Sequence, residues 1–247
     1  MNASPTANEL TGDAAPSVSF VVLGPSKLGD SGQPLKVHDE ELRYYAASTI
    51  KLAVAAALLF AVEFGEISLA QTVPSRQAFS SRIAGAPSFT FGADEVDPGM
   101  PPAGNPMRLD TCLDRMLTVS SNEATNLLIE LLGLAAVETA CNRLGVPDIR
   151  VTRLIGDYAA REAGFTHAAS ALDLARLMWA VTEGNQLTKA SRGIMLDTLS
   201  RQRFPIIAEA LRPGTTWASK SGWVTGIRHD VAAIGEPGSD DFRVLAV

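Results

Sequence analysis

Tyr45-Ala46-Ala47-Ser48-Thr49-Ile50-Lys51-Leu52, running on through Ala53 to Phe64, is the stretch on which the reading of this chain turns. From Ser48 onward it is rich in Ala and Leu and apolar on all sides, which predicts a helix over 48–64 buried in the middle of the structure. The run is too short to span a bilayer and carries Lys51 near its start. On a helix, positions i and i+3 share a face, so the Ser48 hydroxyl and the Lys51 amine lie side by side. Desolvation among apolar neighbours lowers a lysine's hold on its proton, and a neutral amine beside a hydroxyl can deprotonate it. Ser-x-x-Lys alone turns up about once in any chain of this length by residue frequency. Its position at the head of the most apolar helix gives it weight, because charge is costly there unless used. A capping Ser and a solvated Lys are the alternative reading.

Strand pattern encloses this helix at both ends of the chain. Ser17 to Leu23 is a β-rich apolar run, followed by turn residues from Gly29 to Pro34 and a short segment, Leu35 to His38, which together predict an opening hairpin. Near the C-terminus, Trp217 to Ser219, Asp230 to Ile234 and Phe242 to Val247 read as strands. Between Pro74 and Pro106 comes a long connection rich in Pro and Phe. Helices follow: Thr111-x-x-Asp114, Ser120-x-x-Glu123 and Ser170-x-x-Asp173 have capping-box form, Gly133 and Gly145 sit at helix ends, and a further helix begins near Lys189. The expected fold is α+β, with one antiparallel sheet built from both chain ends, a mostly helical lobe packed on it, and the active site in the cleft between them. Met1 to Pro16 reads as a disordered leader. Residues 17–247 read as a single domain, with sheet parts 17–47 and 214–247 and a helical part 48–213.

Two more short motifs carry chemistry. Ser120-Ser121-Asn122 stands at the mouth of a helix, where Ser120 serves as an N-cap, as a proton relay, or as both, and Asn122 as a hydrogen-bonder to substrate. Lys220-Ser221-Gly222 lies on a C-terminal strand, where Lys and Ser present a cation and a hydroxyl to a carboxylate and Gly admits close backbone approach. Ser-x-x-Lys, Ser-x-Asn and Lys-Ser/Thr-Gly in this order resemble the three-part signature of class A β-lactamases and penicillin-binding proteins. The flanks agree: Tyr45 to Leu52 resembles the family's nucleophile helix, Val119 to Leu128 (with Asn126) its second motif, and Val151-Thr-Arg-Leu the entry to its omega loop. The resemblance runs from about Ser17 to the C-terminus. It implies a β-lactamase/D,D-peptidase-like fold with Ser48 as nucleophile, Lys51 as base, Ser120 as proton shuttle and Asn122 as substrate binder. Lys220 with Ser221 would form the carboxylate site, Gly222 and Trp223 would line the substrate-binding strand, and the backbone N–H groups of Ser48 and Trp223 would form the oxyanion hole. No metal or organic cofactor is needed, and the partner implied is a small β-lactam or a D-Ala-D-Ala-like acyl donor.

The pattern also departs from the family. The omega-loop glutamate that hydrolyses the acyl-enzyme in the β-lactamases is missing, since Leu154 continues as Ile155-Gly156-Asp157-Tyr158, in a loop that looks shortened. Asp157 and Glu162 are stand-in candidates for activating water, with solvated loop carboxylates as the blander reading of both. Ser121 stands where the family carries Asp, and Arg228 follows the third motif at a distance suited to a substrate carboxylate or to an exposed strand end. The chain ends at Val247 in mid-strand, before the family's closing strand and helix. Three outcomes stay open: β-lactam hydrolysis with slow deacylation, D,D-peptidase or esterase activity, and a penicillin-binding sensor that stays acylated.

Composition removes other classes. With 46% hydrophobic and 19% charged residues, the 247-residue chain can bury a large core. A net charge of -6 with no basic stripe argues against nucleic acid. Cys112 and Cys141 lack CxxC or His partners and read as buried small hydrophobes. His38, His167 and His229 have no evident catalytic partners in sequence, and there is no Gly-x-Ser-x-Gly elbow, phosphate loop or His-Glu-x-x-His site. No export signal or membrane anchor is visible, which reads as cytoplasmic unless the N-terminus shown is a mature or truncated one.

Overall fold

A computed structural model describes residues 17–25 and 32–247, so the leader at 1–16 and part of the first turn lie outside the described residues. Strand β1 (Phe20–Gly24) pairs antiparallel with β2 (Gln33–His38), the expected opening hairpin. Strand β3 (Arg43–Tyr45) then leads into a 3-10 turn, Ala47–Ile50, and helix α1 (Lys51–Glu63). The long connection after it holds two small ribbons, β4 (Thr72–Pro74) with β7 (Pro106–Arg108) and β5 (Ala78–Phe79) with β6 (Phe89–Thr90). Helices α2 (Leu109–Thr118), α3 (Asn122–Leu132) and α4 (Leu134–Arg143) follow in series. Strand β8 (Arg150–Val151), helix α5 (Tyr158–Glu162), strand β9 (His167–Ser170) and helices α6 (Ala171–Thr182) and α7 (Lys189–Ser200) complete the middle. The chain returns to the sheet as β10 (Trp217–Val224), β11 (Ile227–Ile234) and β12 (Arg243–Ala246).

The main sheet runs in the order β10-β11-β12-β1-β2, all neighbours antiparallel, so the two ends of the chain meet where β12 pairs with β1. Alternation along the strands sends Val21, Leu23, Val231, Ala233, Val244 and Ala246, each 2% exposed or less, into the core. Helix α1 lies in the middle, packed against α2, α3, α4 and α6, and every residue from Lys51 to Ala61 is buried. Its all-round apolar surface is thus used on all sides. Strands β3, β9 and β8 form a second small sheet that ties the start of the catalytic lobe to the far end of the omega-like loop. Sequence pattern placed no strand inside 48–213, because β8 and β9 are too short to show a period.

Local capping partly departs from expectation. Ser170 and Asp173 form the expected reciprocal box at the head of α6. Helix α2, however, begins at Leu109 with no side-chain cap, leaving Thr111 inside its first turn. Its leading N–H groups are satisfied through tertiary contacts instead, Leu109 N on Gln71 O at 2.9 Å and Asp110 N on Leu69 O at 3.0 Å. At α3 the cap is Ser121, whose hydroxyl accepts from Ala124 N at 3.2 Å, one residue later than the box at Ser120 predicts. Ser120 lies outside the helix in a left-handed conformation, φ 60°, and its side chain is released for other work. Cys112 and Cys141 are buried and unpaired, as expected, and burial pushes both thiols up to about 12.

Candidate active site

The turn that carries Ser48 is held from three sides. Ala47 adopts φ 48°, an uncommon conformation for a residue with a Cβ, just before the half-buried Ser48. Thr49 Oγ1 donates to Ala46 O at 2.5 Å, and Ala46 N donates to His167 O at 3.1 Å. Ser48 sits in the 3-10 turn, and the α-helix starts only at Lys51. Lys51 follows Ser48 by three residues, one 3-10 turn later. Below the turn passes β10: a Cβ added at Gly222 would lie 2.8 Å from Ser48 N and 3.0 Å from Thr49 N. Only glycine lets the strand come so close, and this brings the backbone around 222–223 alongside that of Ser48.

Lys51 is fully buried and donates to Ser120 O at 2.5 Å, Ser120 Oγ at 3.0 Å and Asn122 Oδ1 at 2.8 Å. Burial, and then the Lys220 charge, lower its affinity for a proton well below the ordinary lysine value, against a smaller pull from Glu123 and Asp97. Lys220 approaches Ser120 from the opposite side, its Nζ 3.1 Å from the same hydroxyl and 2.8 Å from Ser221 O. Burial brings Lys220 down to about 7, with Asp230 acting the other way. Ser120 Oγ therefore bridges two buried amines carried by α1 and β10. Glu123 and Asp97 stand behind this turn: Glu123 Oε1 accepts from Asp97 N at 2.9 Å, and Arg115 pairs with Asp97, so the Pro-rich connection is fastened to the second motif.

On β10, Ser221 and Gly222 are buried, while the Trp223 side chain is exposed and packs edge-on against Phe204 at 5.5 Å. Arg228 stands directly across from Trp223, exposed to solvent. One residue here has no signal in the sequence. Gln202, in the loop after α7, is buried and receives both the N–H and the hydroxyl of Ser221, at 2.6 Å and 2.9 Å.

The omega-like loop is fixed at both ends, and it carries two carboxylates, Asp157 and Glu162. Arg153 is buried and donates to Leu154 O, Phe165 O and the Tyr45 hydroxyl, closing the loop's neck. Asn126 clamps Ile155 by two 2.9 Å bonds, one to its carbonyl and one from its N–H. Asp157 corrects the expectation of a solvated carboxylate. It is fully buried, caps α5 through Ala160 N, and accepts from Ser81 Oγ at 2.7 Å and Arg82 N at 3.0 Å. Those donors lie on the long connection, which the sequence could not align with this loop. Glu162 is exposed, as read. His229 bonds Tyr45 O at 3.0 Å and His38 is exposed. His167 is fully buried beside Tyr45, and burial, Arg153 and Lys51 keep its ring neutral.

With this arrangement in view, the sequence profile of the β-lactamase enzyme family matches residues 8–247. The chain belongs to that family. The family fold and its serine-hydrolase character follow. A β-lactamase from Sphaerobacter thermophilus is 27% identical, with TM-score 0.73, over 92% of this chain and 80% of that one. An ancestral class A β-lactamase (21% identical, TM-score 0.73, 97% and 87% covered) and PBP-A (22%, TM-score 0.74, 97% and 83%) share the fold. Among curated protein sequences nothing matches.

Proposed function

We propose that this β-lactamase-family hydrolase acts on β-lactams through an acyl-enzyme at Ser48 and releases it slowly. The observation that carries the reading is the Ser120 hydroxyl held between the buried Lys51 and Lys220, 3.0 Å and 3.1 Å away. In acylation the Ser48 Oγ–H proton passes to neutral Lys51 Nζ as Oγ bonds the lactam carbonyl carbon. The resulting oxyanion is received by the N–H groups of Ser48 and Trp223. The C–N bond then breaks, and the ring nitrogen takes a proton relayed from Lys51 through the Ser120 hydroxyl. Asn122 orients the acyl amide, while Lys220, Ser221 and the exposed Arg228 receive the substrate carboxylate. Deacylation adds water to the ester and returns a proton to Ser48. Lys51 is the base in reach, since Asp157 is committed to structural bonds and Ile155 occupies the clamped position of the loop.

A D,D-peptidase is the second reading, favoured by the commitment of Asp157 to structural bonds and by the likeness in fold to PBP-A. Intact-protein mass spectrometry with penicillin and a chromogenic cephalosporin separates the two. Colour with a transient adduct supports the β-lactamase, and a persistent adduct without colour supports the peptidase. Ser48→Ala should lose the adduct while keeping its melting temperature; labelling of the variant at the wild-type rate would overturn the assignment.

A further inference from the structure

The carboxylate site contains a side chain whose chemistry the proposed mechanism leaves unexplained. Gln202 is 5% exposed. Its Oε1 accepts from Ser221 N at 2.6 Å and Ser221 Oγ at 2.9 Å and lies 3.5 Å from Lys220 Nζ, while its Nε2 donates to Ser219 Oγ at 2.5 Å. A backbone N–H can only donate, so the oxygen of this amide is fixed as the atom facing Ser221. Strand β10 is an edge of the sheet, with β11 on one side only. Alternate N–H groups of β10 therefore point off the sheet, and since that of Ser221 is one of them, that of Trp223 points the same way. Gln202 closes the first of these two edge donors and leaves the second for an oxyanion.

We propose that Gln202 is a positioning residue of the carboxylate site, a neutral acceptor that fixes Ser221 while leaving the Lys220 charge available to an incoming anion. This rests on the functional reading above and adds the reason for an amide at 202. A carboxylate of the same shape would accept the same bonds but would pair with Lys220, repel the substrate anion, and lose the donor to Ser219. An alkyl group would leave the buried Ser221 N–H unanswered. Asp230 on β11 favours the Lys220 cation, and the Lys220 charge in turn lowers the proton affinity of Lys51 on α1. Lys189, Arg192 and Asp197 are the charged residues of α7, which packs on β10. Lys220 thus loses its charge as pH rises through about 7, and a carboxylate-bearing donor loses its anchor with it.

The test is the second-order rate of Ser48 acylation by benzylpenicillin from pH 5 to 9, followed by mass spectrometry in wild type, Gln202→Glu and Gln202→Ala, with an uncharged ester as a second donor. In wild type the rate with penicillin falls above about pH 7, and in Gln202→Glu that limb moves up by about one unit or more, because a close opposite charge holds the proton on Lys220. The ester needs no anchor and feels Lys220 only through Lys51 and Ser120, so its fall above about pH 7 is smaller than that of penicillin in wild type. A limb at the same pH in both proteins overturns the proposal. If Gln202→Glu does not fold, Gln202→Ala decides: a loss confined to penicillin supports the assignment, and an equal loss on both donors overturns it. Absence of any Ser48 adduct in wild type with either donor removes the functional reading itself, and the proposal with it, which distinguishes the two failures.

Discussion

Gly222→Ala is the sharpest perturbation of the cleft that leaves every polar group in place. The new methyl carbon would stand 2.8 Å from Ser48 N, 3.0 Å from Thr49 N and 3.3 Å from Ala47 Cβ, against about 3.4 Å for an ordinary close contact. None of these atoms is the end of a flexible side chain. The turn above is pinned by the Thr49 to Ala46 bond, by Ala46 N on His167 O and by the left-handed Ala47. Strand and turn must therefore part by about 0.6 Å at the point where the two proposed oxyanion donors meet. Loss of one such donor costs about 100-fold to 1,000-fold in rate, and a misplacement near 1 Å about 100-fold. The second-order rate of Ser48 labelling should drop about 100-fold. Overpacking of about 1–3 kcal/mol should lower the melting temperature by only roughly 2–12 °C in a chain of this size. Gly193→Ala in α7, where an added Cβ meets nothing within 4 Å, is the control and should label at the wild-type rate. Labelling of Gly222→Ala within about threefold of wild type would refute the close-approach argument.

Ser120→Ala removes the hydroxyl shared by the two lysines, so acylation should fall about 100-fold to 10,000-fold while thermal melting changes little. An unchanged acylation rate in stopped-flow or mass-spectrometric assays would show that the proton takes another route. Asp157→Ala deletes the three bonds that join the omega-like loop to 81–82 and to α5 and should cost roughly 2–4 kcal/mol in denaturant unfolding, whereas Glu162→Gln should alter neither stability nor deacylation. A large deacylation defect in Glu162→Gln would place the water-activating base on that exposed carboxylate.

Much of the fold is legible along the chain because it rests on local periodicity. The all-apolar run after Ser48 can only be buried on all sides, strand pattern at both ends predicts the shared sheet, and Ser170 with Asp173 marks the head of α6 within a single turn. The three motifs are equally local, so their residues could be named before their positions in space were known. What the sequence could not assign were contacts between groups far apart in the chain. Whether Ser120 or Ser121 caps α3 depends on the Ser121 N to Arg115 O bond and on two lysines, one of them 100 residues away, that claim the Ser120 hydroxyl. Asp157 reads as a loop carboxylate until Ser81 and Arg82 fold over it, and Gln202 reads as an ordinary polar residue until the edge of β10 meets it. Period and propensity are set by neighbours in sequence, whereas burial, hydrogen-bond partners and a lysine's proton affinity are set by whatever the fold places within a few ångströms. Local pattern therefore shows the longer elements and the chemical cast, while the short strands, and the choice of which polar side chains build the cleft and which hold its walls, come from contacts between distant parts of the chain.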